Sequence, residues 1–236
     1  MKTVDIHPLD IELVEFTVIQ TLLANDISLV NSRINKSITF CAGVDVAYWK
    51  KEGIEYGVCC IVVIDYETKA VIEKVYSTGK ITVPYVPGYL AFRELPLVVK
   101  AAKKLFKIPD LFIFDGNGYL HPRHMGIATH ASFFLNKPTI GVAKSYLKVH
   151  GADFNMPGNE TGSYENISAK NVIYGRALRS RTDVKPIFIS CGNYIDLQTT
   201  MEVILSLIND ESRLPIPVRL ADLETKRMRR KFSLDN

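Results

Sequence analysis

The sequence predicts an α/β protein with a mixed sheet, in which an antiparallel three-strand meander is followed by parallel strands and helices flank both. Three runs rich in β-branched and aromatic residues follow one another across short turns, which predicts the meander. Later, short continuous apolar runs alternate with helical patterns, as is typical of parallel strands buried on both faces. Of the 236 residues 47% are hydrophobic and 23% charged, an ordinary globular composition, so we expect a single domain over residues 1–236.

The meander follows an N-terminal helical pattern over about residues 8–34, where Leu9, Leu13 and Phe16 recur at helical spacing. The three predicted strands cover residues 38–48, 56–65 and 70–78, with turns at 50–53 and 66–69. Such short connections favour antiparallel neighbours.

The second half alternates helices and strands. A helical pattern covers residues 90–106, and Pro96 within it favours a start near that proline. The remaining elements are a strand at 110–114, a helix at 126–135, strands at 139–143, 172–178 and 186–191, and a helix at 197–208. Residues 151–171 are rich in Gly, Asn, Ser and Glu, which predicts a long irregular excursion.

This layout, with acids at strand ends, is that of the ribonuclease H-like fold. A Rossmann-type doubly wound sheet is the alternative. It is disfavoured because the opening meander has no crossover helices and no G-x-G-x-x-G follows the first strand.

Charge and cysteine usage restrict the partners and the compartment. The net charge of +4 favours an anionic partner without identifying nucleic acid. Basic residues cluster at 226–231 in a predicted tail over about 226–236, which is either solvated or in contact with phosphates. The four cysteines lack C-x-x-C spacing and the N-terminus carries acids where a signal peptide needs an apolar run, so we expect a soluble protein of the reducing cytoplasm.

Two aspartates are the strongest chemical signal. Asp45 lies inside the apolar run CAGVDVAY, where a carboxylate needs compensation, and Asp115 closes the apolar run LFIFD at the ligand-binding end of a parallel strand. Together they predict a hard oxygen site for Mg²⁺, with Mn²⁺ able to substitute. The competing interpretation of Asp45 is a hydrogen-bonded buried acid. Glu94 is either a third carboxylate or an acid placed to favour a helix dipole.

Three basic residues adjoin these acids. His121 and Arg123 lie in the glycine-containing loop GNGYLHPRHMG, directly after Asp115, where phosphate contacts would be needed. Lys144 ends its strand as Asp115 ends its own, so both should project from the same edge of the sheet. Such a lysine either pairs with the carboxylates or neutralises a phosphoryl oxygen.

Five ordered motifs carry a family resemblance. They are GVDVAY (43–48), PYVPGYLAFRE (84–94), DGNGYLHPRHMGIATH (115–130), PTIGVAKSYL (138–147) and RLPIPVRLAD (213–222). In order and spacing they resemble endonuclease V over roughly residues 38–225.

The resemblance implies a ribonuclease H-like DNA repair endonuclease that recognises deoxyinosine and hydrolyses the second phosphodiester bond on its 3′ side. By motif, Asp45, Asp115 and Glu94 would bind Mg²⁺, while His121 and Lys144 would support the attacking water and the scissile phosphate. Tyr85 matches the family's wedge, which fills the gap left by an extruded base. The base would enter a pocket formed by Gly88, Leu90, Gly116, Ile127 and Leu147.

Two positions depart from the family pattern, because Asn117 and Asn193 stand where histidine is common. An amide does not titrate near neutrality. Asn193 in particular leaves open a weakly catalytic inosine-binding protein, and a third possibility is an inosine-specific RNA endonuclease. We expect a monomer in each case.

Overall fold

A computed structural model describes residues 1–34 and 37–234 of the chain, and all eight of its strands form one sheet. The strands are β1 (Phe40–Lys51), β2 (Ile54–Asp65), β3 (Val71–Lys80), β4 (Leu111–Asp115), β5 (Thr139–Ala143), β6 (Tyr164–Ala169), β7 (Val172–Leu178) and β8 (Ile187–Asn193). The helices are α1 (Phe16–Ala24), α2 (Leu90–Ala102), α3 (Ile127–Leu135), α4 (Leu197–Ser206) and α5 (Ile216–Leu234), with a 3₁₀ turn at Leu13–Glu15. Within these described ranges, no helix has the length and apolar character that a membrane crossing requires.

The sheet has the order β3-β2-β1-β4-β5-β8-β7-β6. The first three strands are antiparallel, β1, β4 and β5 are mutually parallel, and β8, β7 and β6 return antiparallel. The predicted mixed α/β architecture, with a meander leading into parallel strands, is confirmed. Parallel β1 and β4 bring the acids of both strands toward one edge.

Helices cover both faces of the sheet. On one face, α2 and α3 bury residues such as Leu95 and Phe134 against β1, β2 and β4. On the other, α4 and α5 bury residues such as Ile204 and Val218 against the central strands. Burial on both faces explains why β4 and β5 are continuous apolar runs rather than alternating ones.

Two helices differ from the prediction. The N-terminal helix covers Phe16–Ala24 rather than residues 8–34, because the first residues pack against the core in extended form, with Val4 N donating to Phe134 O. Helix α2 starts at Leu90 and continues through Pro96, so the proline does not set its start. A proline inside a helix removes one hydrogen bond, which the burial of most of α2 outweighs.

Two segments predicted as irregular are regular. Within the 151–171 excursion, β6 pairs with β7 through a two-residue turn in which Lys170 and Asn171 have φ of +47° and +66°. Paired positive φ values define the tight hairpin turn that matches strand twist. The basic residues 226–231 belong to α5 rather than to a tail, because Thr225 and Met228 on the same helix are buried against the sheet.

Candidate active site

Three aspartates from separate parts of the chain meet at one edge of the sheet. They are Asp45 in β1, Asp115 at the end of β4 and Asp222 in α5, and one carboxylate oxygen from each lies within 4.8 Å of the others. The first two come together because β1 and β4 are parallel neighbours in which Val44 pairs with Phe114, so Asp45 and Asp115 are the next residues on adjacent strands. Asp222 completes the cluster from a helix, and the predicted site did not include it.

Gly43 explains how α5 comes close enough. A Cβ at Gly43 would lie 2.0 Å from the backbone oxygen of Pro217, so only glycine allows the start of α5 to rest directly on β1. Asp222 follows five residues after Pro217, which carries its carboxylate to the level of Asp45. The glycine of the GVDVAY motif thus positions an acid almost 180 residues away.

Lys144, just after β5, lies among these carboxylates as predicted from its strand-end position. Its Nζ is 2.5 Å from Asp115 Oδ2 and 3.0 Å from Asp222 Oδ1. Burial lowers the pKa of the Lys144 ammonium, but the two aspartates outweigh burial and the pKa is raised. Lys226 adds a second ammonium, 2.5 Å from Asp222 Oδ2. The protein therefore neutralises much of the cluster with its own cations.

Asp45 has a different environment. Burial, followed by the negative charge of Asp115, raises the pKa of Asp45 to about 7. The Thr225 hydroxyl donates a hydrogen bond to Asp45 Oδ2 and acts in the opposite direction by favouring the ionised form. Near neutral pH, Asp45 thus exchanges a proton with solvent rather than staying fully ionised.

The donor set fits a hard divalent cation. All three candidate ligands are carboxylates, which suit Mg²⁺ and Mn²⁺ and are poor ligands for soft metals. A cation would also relieve the repulsion that raises the pKa of Asp45, because it favours the ionised form. The residues present therefore fit the predicted type of metal.

Glu94 lies outside this cluster. It is buried in α2 and accepts a hydrogen bond from the Tyr48 hydroxyl. Side chains alternate along a strand, so Tyr48 is on the opposite face of β1 from Asp45. Burial, with the charges of Asp45 and Asp115 acting in the same direction, raises the pKa of Glu94 to about 8, although the Tyr48 hydrogen bond favours the ionised form. Glu94 is close enough to feel the cluster electrostatically without sharing its oxygens.

The predicted wedge and pocket residues come together beside the acids. Tyr85 is 67% exposed and borders a cavity of about 80 Å³. Four of the five predicted pocket residues line this cavity, namely Gly88, Leu90, Ile127 and Leu147, together with Ala91, Asn117, His121, Met125 and Gly126. Gly116 is not a lining residue and packs behind Ile127, against which a Cβ would clash at 2.5 Å. We refer to this cavity as the Tyr85 pocket.

One carbonyl fixes the loop that carries Tyr85. The Gly88 oxygen lies 3.0 Å from Gln20 Nε2, 3.1 Å from Arg123 Nη2 and 3.0 Å from His121 Nε2. Gly88 has φ of +84°, and a Cβ there would lie 3.0 Å from the Arg123 guanidinium. Glycine thus permits both the backbone conformation and the close approach of these donors.

His121 is part of this clamp, and its role beside the scissile phosphate stays a prediction. Its Nδ1 accepts hydrogen bonds from Arg123 N at 3.1 Å and Met125 N at 3.3 Å, which leaves Nε2 as the donor to Gly88. Burial, with the nearby charge of Arg123, lowers the pKa of His121 to about 4. His121 is therefore neutral at pH 7 and both of its ring nitrogens are engaged.

The two asparagines at histidine positions have separate environments. Asn117 lines the Tyr85 pocket, and its Oδ1 is buried with no hydrogen-bond partner among the described residues. Asn193 is fully buried, and its Oδ1 accepts from Ser28 N and Tyr194 N. Asn193 pairs with Thr139, the first residue of β5, whereas Asp115 pairs with Val142. These two partners are three positions apart, which is about 10 Å along β5.

Comparison with known proteins identifies the family to which this fold belongs. The family model for Endonuclease V matches residues 21–223. Endonuclease V of Bacillus thuringiensis is 63% identical over 92% of this chain and 93% of its own length. The crystal structure of endonuclease V from Bacillus subtilis superimposes with a TM-score of 0.96 at 58% identity, covering 100% of both chains. That of Ciona intestinalis, solved with a 24mer DNA containing an inosine followed by a ribo-adenosine, gives a TM-score of 0.84 at 26% identity, covering 93% of this chain and 98% of the other. Through these matches the chain belongs to the endonuclease V family of nucleases.

Proposed function

We propose that this protein is a metal-dependent repair endonuclease that recognises deoxyinosine in DNA and hydrolyses the second phosphodiester bond on its 3′ side, leaving 3′-hydroxyl and 5′-phosphate ends. The observation that carries the proposal is the adjacency of the acid cluster and the Tyr85 pocket. Asn117 follows Asp115 by two residues and Leu147 follows Lys144 by three, so the same two loops border both. With a base held in the Tyr85 pocket, the nucleic-acid strand that carries this base would run past the acid cluster.

The residues of the chain have separate roles in this reaction. Asp45, Asp115 and Asp222 would hold Mg²⁺ or Mn²⁺, and the bound cation supplies charge neutralisation at the phosphodiester. Lys144, whose Nζ is 2.5 Å from Asp115 Oδ2, would stabilise charge on the oxygens of the same phosphate. Glu94, with a pKa of about 8, would accept or return a proton at neutral pH.

Recognition is proposed to use base extrusion. The exposed ring of Tyr85 would fill the gap in the stack, while Gly88, Leu90, Ile127 and Leu147 surround the extruded base. Support comes from the Ciona relative, which was crystallised on DNA containing inosine. Its ribo-adenosine after the inosine favours RNA as the second candidate substrate. The weakly catalytic inosine-binding protein remains the third candidate, and it predicts tight binding of inosine-containing strands with little cutting.

The test is nicking of an end-labelled duplex that carries one deoxyinosine, with Mg²⁺ and with a chelator. Asp115→Asn should abolish the cut, whereas Asp210→Asn, which changes an exposed aspartate outside the cluster, should retain it. A matched strand with inosine in RNA separates the two substrates. Full cleavage by purified Asp115→Asn, or cleavage that survives chelation, would refute the proposal.

The proposal extends to the assembly and the compartment. We propose that residues 1–236 act as one catalytic domain and as a cytoplasmic monomer. The single domain is supported by the finding that all eight strands of the described residues share one sheet. Light scattering coupled to size exclusion should give the mass of one chain, and a dimer mass would contradict it.

A further inference from the structure

Helix α1 turns one buried polar side chain toward the Tyr85 pocket. Gln20 is fully buried, although α1 lies at the surface and exposes 58% of Val18 and 63% of Leu22. A buried side-chain amide is unfavourable unless its donors and its oxygen find partners. The partners of Gln20 therefore show what its burial serves.

The Gln20 amide spans the two walls of the Tyr85 pocket. The lining residues of one wall come from the segment 85–91 and those of the other from the segment 117–127. Gln20 Nε2 lies 3.0 Å from the oxygen of Gly88 in the first wall and 3.2 Å from the oxygen of Met125 in the second. Because an amide nitrogen carries two N–H donors, this single group can bond to both walls at once.

Arg123 completes the arrangement. Its Nε donates to Gln20 Oε1 at 2.5 Å, and its guanidinium lies 4.4 Å from the ring centre of Tyr89. Two backbone oxygens on one side of the amide and an N–H donor on the other allow only one orientation of Gln20. Glutamate would lack the two donors, and asparagine is shorter by one methylene, so this position requires glutamine.

Contacts with the loop before α2 and with α2 itself hold α1 in place. The ring of Phe16 stacks on Phe92 of α2, with centroids 3.9 Å apart and planes 2° apart. One turn before Gln20, the Thr17 hydroxyl is 2.6 Å from that of Tyr89. The amide thus projects from an anchored helix into the space between the walls. Gln20 belongs to none of the five motifs and precedes residue 21, where the family match begins.

We propose that Gln20 is a positioning residue for base recognition, which holds the two walls of the Tyr85 pocket at the spacing that accepts the extruded base of deoxyinosine. This role rests on the proposed function. A pocket that is already ordered before binding has a smaller entropic penalty when the base enters. Among the described residues the hydrogen-bond partners of Gln20 are Gly88, Met125 and Arg123, and none belongs to the acid cluster. Gln20 should therefore act on recognition rather than on hydrolysis.

Gln20→Met tests this role, because methionine has a similar length and shape but neither donates nor accepts here. The KM for a duplex with one deoxyinosine should rise about tenfold, the effect of roughly one hydrogen bond, while kcat changes less than about twofold. The Ki of an inosine-free duplex used as a competitor should stay the same, since that duplex places no base in the pocket. Loss of folded protein would instead lower the apparent kcat at constant KM.

Two further variants sharpen the result. Gln20→Glu keeps an acceptor for Arg123 and removes both donors, so it should show the same rise in KM. A wild-type KM for this variant would overturn the proposal, because the contact with Arg123 would then suffice. Gln198→Met makes the same chemical change at the other glutamine of the chain, which is exposed on α4, and should leave KM and Ki unaltered.

Hydrogen exchange followed by mass spectrometry gives a readout that does not depend on activity. In substrate-free Gln20→Met, peptides over residues 84–91 and 119–127 should exchange several-fold faster, with no change in β4 and β5. Equal exchange in the two loops, or acceleration of the whole chain, would overturn the positioning role.

The cleavage assays separate this inference from the proposed function. If the wild-type protein cuts inosine-containing and inosine-free duplexes alike, the proposed function fails and the role of Gln20 fails with it. A wild-type preference for inosine, combined with unchanged KM in both Gln20 variants or with a fall in kcat alone, would refute the role of Gln20 and leave the proposed function standing.

Discussion

Thr225 offers a sharp test of how the acid cluster is tuned. Its buried hydroxyl donates to Asp45, and valine has nearly the same shape without the donor. A hydrogen bond to a charged group contributes about 1.5–3 kcal/mol, and 1.36 kcal/mol corresponds to one pKa unit. In Thr225→Val the pKa of Asp45 should therefore rise by about one to two units from its value of about 7.

The expected effect on metal binding follows from the ionised fraction. At pH 7 that fraction falls from about one half to between about 0.1 and 0.01, so Mn²⁺ should bind about 5- to 50-fold more weakly. Losses of about 10- to 100-fold, which overlap this range, are typical when a group that supports a metal ligand is removed. At pH 9 the difference should shrink to about twofold or less, because Asp45 is then at least about half ionised in the variant and nearly fully ionised in the wild type.

Isothermal titration calorimetry with Mn²⁺ between pH 6 and 9.5 measures this directly. Thr225→Ser keeps the hydroxyl and should follow the wild type across the range. Folding is checked by circular dichroism, since the isosteric change should not disturb α5. Equal Mn²⁺ affinity for the valine variant and the wild type at pH 7 would refute the role assigned to Thr225.

Three further predictions concern charge and the wedge. In the metal-free protein, the pKa values of Asp45 and Glu94 lie above their unfolded values of 3.8 and 4.5, so the stability they contribute is lost as pH rises through about 7 and 8. The metal-free Tm should thus fall between pH 5 and 9, and less steeply in Glu94→Gln; parallel Tm curves would contradict this. Lys144→Met leaves Asp115 without an ammonium partner and Asp222 with Lys226 alone, which should lower the metal-free Tm and enlarge the rise in Tm that Mg²⁺ produces, whereas a smaller rise would argue that Lys144 and the metal do not share a position. Tyr85→Ala removes a ring that is 67% exposed, so the free energy of unfolding should change by about 0.5 kcal/mol or less, while cutting of inosine in a duplex should fall more than in a single strand. Equal losses on the two substrates would exclude a wedge.

The parts of the site that follow strand rules could be predicted from the sequence. Asp115 and Lys144 each close a short apolar strand, and parallel neighbours present their ends at one edge. Asp45 stood out because a carboxylate inside a buried strand requires compensation, which Thr225 and the nearby cations provide. These arguments use only local pattern and the pairing of adjacent strands.

Asp222 and Thr225 could not be found in this way. Both lie on α5, where an acid or a threonine among lysines and arginines looks like an ordinary solvated helix face. Their proximity to Asp45 depends on the close packing of α5 at Gly43, a contact between residues far apart in the chain. The available signal was the motif RLPIPVRLAD, which ends in Asp222. It made Asp222 part of the family resemblance but gave this aspartate no chemical role.

Strand β6 was missed for a related reason. Its residues are mostly polar and it lies at the edge of the sheet, so it lacks the apolar alternation by which strands are recognised. The turn at Lys170 and Asn171 was a weak signal. Asparagine is common at positive φ, whereas a lysine in the sequence does not indicate a positive φ. Edge hairpins of this kind are specified by backbone pairing more than by side-chain pattern.

Under the proposed function, the position of Lys144 predicts that metal and nucleic acid bind cooperatively. While its ammonium is held by Asp115 and Asp222, it is unavailable to a phosphate, and a cation that takes its place at the carboxylates sets it free. Metal binding thereby raises the affinity for the phosphodiester, and by thermodynamic reciprocity the bound strand raises the affinity for metal by the same factor. The protein alone should hold its metal weakly and assemble the complete centre only on the strand that it is about to cut.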